Sequence, residues 1–267
     1  MKIRNLYVWV ACALLIGVVQ ASTAQEITVA AAADLQFAFQ DVAGRFERSS
    51  GKKVKLIFGS SGNFFAQIQN GAPFDLFFSA DIDYPRKLEA SGLAVPGTLY
   101  QYATGKIVLW APAASKLDLG RGLKVLLDPK ISKIAIANPE HAPYGRAAVA
   151  ALKHENLYEQ VAGKFVLGEN ISQTASFVVS GSADVGIVAL SLALAPSMKG
   201  KGKYAEIPAD QYPAISQAAI VLKSSQQQQT ARQFLAFVQS AEILELLRTY
   251  GFSTPSATQV HSNEEKR

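Results

Sequence analysis

The chain has very little of what chemistry usually needs. There is one cysteine, Cys12, and there are three histidines, His141, His154 and His261. A single cysteine excludes an internal disulfide, so the fold must be held by its core. No cluster of His, Cys and carboxylates has metal-ligand spacing. GxSxG, HExxH, CxxC and P-loop patterns are all missing, and "GSSG" at 59–62 has no lysine with which to hold a nucleotide phosphate. Asp81 and Asp83 are spaced as a pair, but their loop lacks the other ligands of a calcium site. His154 sits among polar residues at a helix end and His261 lies in a polar tail, which reads both as surface residues. Charge of one sign is also scarce. The formal net charge is +5, Lys2 and Arg4 contribute two of it, and the largest basic cluster, Lys199 to Lys203, is interleaved with glycine. That is too small and too dispersed for a nucleic-acid partner.

Residues 1–24 have the order of a secretory signal peptide: Lys2 and Arg4, an apolar stretch from Leu6 to Val19, then Ser22-Thr23-Ala24 at a cleavage site. The apolar stretch is short of the roughly 20 residues a spanning helix needs. Cys12 lies inside it, a poor context for lipid attachment. No later segment is apolar for long enough to span a bilayer. The expectation is a soluble exported protein, cleaved near Ala24, with a periplasmic location.

Beyond residue 24, apolar β-rich runs alternate with helical periodicity. Strands are expected at 27–31, 54–58, 75–79, 106–110, 133–137, 164–167, 184–189 and 216–222. Helical spacing follows at 35–46, 63–70, 145–154, 172–179, 234–238 and 243–247. A Gly/Lys loop is read at 199–203, "QQQQ" at 226–229 as a solvated helix start, and 253–267 as a polar tail. Strands alternating with helices predict an α/β chain built of βαβ units around mostly parallel sheet.

In such sheets ligands sit beyond the carboxyl ends of strands, beside helix N-termini. Four segments fall there: "AAADL" (31–35), "FGSSG" (58–62), "NPEHAPYG" (138–145) and "GENISQ" (168–173). None contains Lys or Arg. Unpaired N–H groups at helix N-termini bind anions without formal cations. Each segment also has a plain reading: Ser60 as a helix cap, Tyr144 as a packing tyrosine, the alanines as tight strand–helix packing. Their convergence in an exported chain without catalytic groups favours a ligand site.

The blocks "ITVAAAADL", "FGSSGNFFAQIQNGAPFDLFFSAD", "YATGKIVLW", "IANPEHAPYG" and "GSADVGIVAL", in this order, make the chain resemble the periplasmic molybdate-binding proteins of ABC transporters. The similarity runs from about Ile27 to Phe252. It implies a two-lobed type II periplasmic-binding-protein fold, each lobe a mixed, mostly parallel sheet flanked by helices, with the ligand cleft between them. The crossovers are expected near 102–105 and 213–217. Lobe 1 would then be 25–104 plus 216–252, and lobe 2 would be 105–215. The resemblance further implies capture of molybdate or tungstate, delivery to a membrane permease, a monomer, no enzyme activity and no cofactor. Molybdenum would be present only within the oxyanion, with no direct protein–metal ligand.

Carried over position by position, the family's site falls on Ala33 and Asp34, on Ser61 through its hydroxyl and amide, on the phenol of Tyr144 and on the backbone N–H of Ile171. Two departures stand out. Relatives carry Ser, Thr or Asn in the first loop where this chain has Ala33-Asp34, and some carry a tyrosine where it has Ala189. A carboxylate repels a dianion, so Asp34 is expected to offer its backbone N–H and to turn its carboxylate away as an N-cap. Two alternatives stay open: a binding protein for another small anion such as sulfate or phosphate, and an exported α/β hydrolase using Asp34 and His141.

Overall fold

The computed structural model describes residues 25–254. The expected signal peptide and most of the expected tail lie outside the described residues. The chain enters as β1 (Glu26–Ala32), makes a one-turn 3-10 helix (Ala33–Leu35) and continues as α1 (Gln36–Ser50). Then come β2 (Lys53–Gly59), α2 (Ser61–Gln69), β3 (Leu76–Ser79), α3 (Asp83–Ala90) and β4 (Tyr100–Gly105). Lys106 alone separates β4 from β5 (Ile107–Pro112) in a second sheet. A 3-10 segment (Leu119–Leu127) leads to β6 (Ile134–Ala137), α4 (Pro143–His154) and α5 (Tyr158–Val161). β7 (Phe165–Gly168), α6 (Ile171–Val179), β8 (Val185–Ala189), α7 (Leu190–Ala193) and β9 (Gly202–Glu206) follow. The chain returns through β10 (Ile215–Val221), α8 (Gln228–Val238) and α9 (Ala241–Thr249).

Two five-stranded sheets result, ordered β2-β1-β3-β10-β4 and β7-β6-β8-β5-β9. β1 runs parallel to β2 and β3, and β6 runs parallel to β7 and β8. Only β10 and β5 run against their sheets, each pairing antiparallel on both sides. These are the two strands that enter a sheet from the other lobe. The parallel strands read as continuous apolar runs because helices cover both faces: β1, β3, β6 and β8 are buried over most of their length.

Each lobe has a core that fixes its strand ends. In the first, Phe39 of α1, Phe78 of β3, Tyr102 of β4 and Phe234 of α8 pack edge to face, with ring centroids 4.7 Å apart for Phe39–Phe78 and 6.0 Å for Phe78–Phe234. Phe234 thereby ties the C-terminal segment to the first lobe. In the second, Trp110 and Leu109 of β5 are fully buried.

Three readings need adjustment. The loop read at 199–203 ends at residue 201, and residues 202–206 form edge strand β9, paired to β5 from Val108↔Glu206 to Pro112↔Gly202. Residues 102–105, near which a crossover is expected, are the end of strand β4, and the chain passes to the second sheet at Lys106. Ser253, read as the start of a free tail, exchanges two backbone hydrogen bonds with Thr104 at 2.7 and 3.0 Å.

Candidate functional site

The strand-to-helix connections at the carboxyl ends of β1, β2, β6 and β7 meet between the lobes. They border a small cavity lined by Ala33, Asp34, Ser61, Tyr144 and Ile171, with Ser60 and Asn170 beside them. No Lys or Arg lines it. All five residues named from the sequence therefore face one space.

The donors are set by local structure. Ile171 opens α6, where the first-turn N–H groups have no acceptor within the helix. The Asn170 side chain caps the next two, accepting from Ser172 N and Gln173 N at 3.0 Å each, and leaves Ile171 uncapped. Ser61 opens α2. Its Oγ accepts the Ala80 N–H at 2.9 Å, so the hydroxyl hydrogen remains available to donate. Ser60 holds the N-cap position of α2 but makes no cap bond. Its Oγ lies 2.9 Å from Nδ1 of His141 in the other lobe.

Asp34 differs from expectation. It lies within the 3-10 turn, caps nothing and is 1% exposed. Its Oδ2 accepts from the Tyr144 hydroxyl at 2.9 Å and from Gln217 Nε2 at 2.7 Å. Its Oδ1 has no partner. Burial raises the carboxyl pKa from 3.8 to about 6, although the hydrogen bonds from Gln217 and Tyr144 pull the other way. The phenols of Tyr144 and Tyr102 are held well above their usual range, first by burial and then by the Asp34 charge, so both stay neutral.

Three residues outside the sequence reading complete this network. Gln217 sits at a β-bulge between β10 and β4, an irregularity that re-aims a side chain. Tyr102 donates to Gln217 Oε1 at 2.8 Å, which fixes the amide with its nitrogen toward Asp34. That nitrogen also donates to the Tyr144 oxygen at 2.9 Å, so the one phenolic hydrogen of Tyr144 is committed to Asp34. Ser191 donates to the Asp34 carbonyl at 2.8 Å. Glycine makes room for the phenol: a Cβ on Gly105 would lie 2.1 Å from the Tyr144 oxygen. The signal for Gln217 was there to read, a lone amide in the apolar strand "ISQAAIV". Tyr102 and Ser191 carry no such mark.

Around this centre the lobes touch directly. Gly62 N–H donates to the His141 carbonyl at 2.9 Å, and Arg146 reaches Asp81 Oδ2 at 2.5 Å. Asn63 donates to Glu169, and Ser172 donates to Gln36. Ser60, His141 and Glu169 have the order of a nucleophile relay. However, His141 Nε2 is 3.6 Å from Glu169 Oε2, longer than a hydrogen bond, and Glu169 already accepts from Asn63. The set ties one lobe to the other. His141 and Asp34 have separate partners, so the acid–base pair of the hydrolase alternative does not form.

The family model for bacterial extracellular solute-binding proteins matches residues 27–253. The chain belongs to that family. Among relatives, the molybdate-binding protein ModA of Rhodobacter capsulatus is 37% identical over 244 residues, covering 91% of this chain and 94% of that one. ModA of Azotobacter vinelandii is 38% identical over 232 residues, covering 87% and 91%. The solved structure of the Azotobacter vinelandii periplasmic molybdate-binding protein superposes with a TM-score of 0.82 at 35% identity, covering 86% of this chain and 100% of that chain. As a solute-binding protein the chain is a receptor and not an enzyme. Its fold is the two-lobed periplasmic-binding-protein fold, with the cleft where the four connections meet.

Proposed function

We propose that this chain captures molybdate or tungstate in the cavity between its lobes and delivers the ion to an ABC-transporter permease. The observation that carries the reading is a buried, cation-free cavity where Ser61 and the uncapped start of α6 converge, in a chain that is 37–38% identical to molybdate-binding proteins over most of its length. Ser61 donates through its hydroxyl and amide, Ala33 and Ile171 donate through backbone N–H groups, and Asp34 and Tyr144 close the far wall. Each hydrogen bond to a charged ligand contributes on the order of 1.5–3 kcal/mol. Four such bonds together contribute roughly 6–12 kcal/mol, a range that includes the roughly 8 kcal/mol of a micromolar complex. Because every donor is neutral, no salt bridge to the ion must break when a permease parts the lobes. The protein acts as a monomer in the periplasm after cleavage near Ala24, with no cofactor and no nucleic-acid partner.

Calorimetric titration of residues 25–267 with molybdate, tungstate, sulfate and phosphate tests the reading. The expected result is tight binding of the first two and weak binding of sulfate. Comparable affinity for sulfate would remove the assignment. A second reading rests on the Asp34 carboxylate, which could accept a hydrogen bond from a protonated anion such as hydrogen phosphate; preferential phosphate binding in the same titration would favour it. Were Asp34 charged and about 4 Å from a dianion, the repulsion would be roughly 8 kcal/mol at an effective dielectric of 20. That would cancel a micromolar affinity.

A further inference from the structure

The Asp34 carboxyl is buried against neutral groups on every side. Tyr144 of α4, Tyr102 of β4, Gln217 of β10 and Ser191 of α7 surround it. The turn that carries it also packs against α1, α6 and β2. No charged group from any of these elements shifts its titration; burial and hydrogen bonds account for all of it. The ionisable groups that bridge the lobes, His141, Glu169, Arg146 and Asp81, are engaged with other partners.

The two carboxyl oxygens are not equivalent. Oδ2 accepts two hydrogen bonds and has no room for a proton. Oδ1 is buried, unpartnered and part of a residue that lines the cavity. A dianion in that cavity supplies acceptors only, and an ionised Oδ1 would face it with another acceptor. A protonated Oδ1 would be a donor.

We propose that Asp34 takes up one proton when a fully deprotonated tetrahedral dianion enters the cavity, and that its Oδ1–H then donates to the ion. This inference rests on the oxyanion-binding reading above. The balance is simple: carboxylate, solvent proton and dianion become carboxylic acid hydrogen-bonded to dianion, with no bond to the metal centre formed or broken. Asp34 thereby does the work of a neutral donor, but only where a proton can be supplied. Its carboxyl in the free protein, at a pKa of about 6, is already partly prepared for this. At pH 7 protonating it costs only about tenfold in equilibrium constant. The network tolerates that state, since Gln217 and Tyr144 can stay on Oδ2 when Oδ1 carries the proton, although their hydrogen bonds favour the charged form.

The test is the pH dependence of binding in residues 25–267 and in Asp34→Asn. Asparagine places an N–H₂ where the proposal puts O–H and keeps an acceptor for Tyr144 and Gln217. Dissociation constants for molybdate are measured from pH 6 to pH 8. With a free pKa of about 6 and a higher one in the complex, affinity should fall by about 50-fold over that range. In Asp34→Asn it should stay flat, so that the variant binds as well as the parent at pH 6 and more tightly at pH 8. Titrations of the parent at pH 7 in buffers of different ionisation enthalpy should show uptake of about 0.9 proton per ion. The calorimetric uptake needs no variant and so stands even if Asp34→Asn folds poorly. Molybdate binding with no proton uptake and no pH dependence would overturn the proposal and leave the molybdate reading in place. Absence of molybdate binding by both proteins at pH 6 would overturn both. Binding of phosphate with proton uptake near zero would overturn the proposal in favour of a carboxylate that accepts from the ligand's own hydrogen.

Discussion

Gly62→Ala separates lobe closure from folding. Gly62 lies in the first turn of α2, and its N–H donates across the cleft to the His141 carbonyl at 2.9 Å. A Cβ placed there would meet that oxygen at 2.6 Å, the His141 Cα at 2.9 Å and its Cβ at 3.0 Å. The oxygen and Cα are backbone of the opposite lobe and the Cβ is fixed to that backbone, so a rotamer change cannot relieve the contact. The lobes must part by about 1 Å to reach ordinary carbon–oxygen contact, which stretches the Gly62–His141 bond beyond hydrogen-bonding length. The neighbouring Ser60–His141 bond goes with it. Two neutral hydrogen bonds contribute about 1–3 kcal/mol together, and the closed state should lose that much. Binding needs the closed state, so affinity for molybdate should weaken by roughly 5-fold to 150-fold. Folding responds with the opposite sign, because alanine is favoured over glycine in a helix by up to about 1 kcal/mol. The assay is paired: calorimetric affinity, and urea denaturation of the ligand-free protein. Unchanged affinity with lowered stability would refute the reasoning, since it would make Gly62 a requirement of the first lobe's own packing.

Three further outcomes are expected. Ser61→Ala removes one side-chain donor and should cost about 1–3 kcal/mol of molybdate binding; an intact thermal transition with unchanged affinity would reduce Ser61 to a support for the Ala80 N–H. Asp34 makes the ligand-free fold pH-dependent. Its folded pKa is raised, from 3.8 to about 6, so the fold favours the protonated form and stability falls as pH rises through that window. The penalty is about 3 kcal/mol and is complete above pH 6. It should appear in the difference between denaturation curves of the parent and Asp34→Asn at pH 4 and pH 7, and a constant difference would contradict it. Tyr144→Phe deletes a donor that stabilises the Asp34 charge, so it should move the pH midpoint of molybdate affinity upward; an unmoved midpoint would place the phenol outside the network.

How much of this was legible follows from how each element is held. The parallel strands could be found because burial on both faces makes them uniformly apolar, as in "ITVAAA" and "IAIA". β9, "GKYAE", has only β5 beside it and stays largely exposed, so its composition is that of a loop. β4, "YQYATG", lies at the sheet edge and mixes polar residues with buried ones, so it lacks the apolar run of the central strands. The loops of the site could be located because helix starts carry small and polar residues. The linkage between Asp34, Gln217 and Tyr102 could not. It depends on residues 183 apart in sequence meeting through a bulge, and one chain read alone contains no sign of that pairing. The mistaken reading of Asp34 as a cap has the same origin. An aspartate before a helix usually caps it, and only burial by a distant strand and the opposite lobe gives this carboxyl another task.

The central claim is that a single oxyanion is held in the cavity between Ser61 and Ile171. Anomalous diffraction at the molybdenum edge, from crystals of the molybdate-saturated protein, tests it most directly. One peak per chain is expected, within hydrogen-bonding reach, through its oxygens, of the Ser61 hydroxyl and the Ile171 N–H, with an oxygen facing Asp34 Oδ1. A peak elsewhere on the protein, or none in that cavity at saturation, would contradict the account.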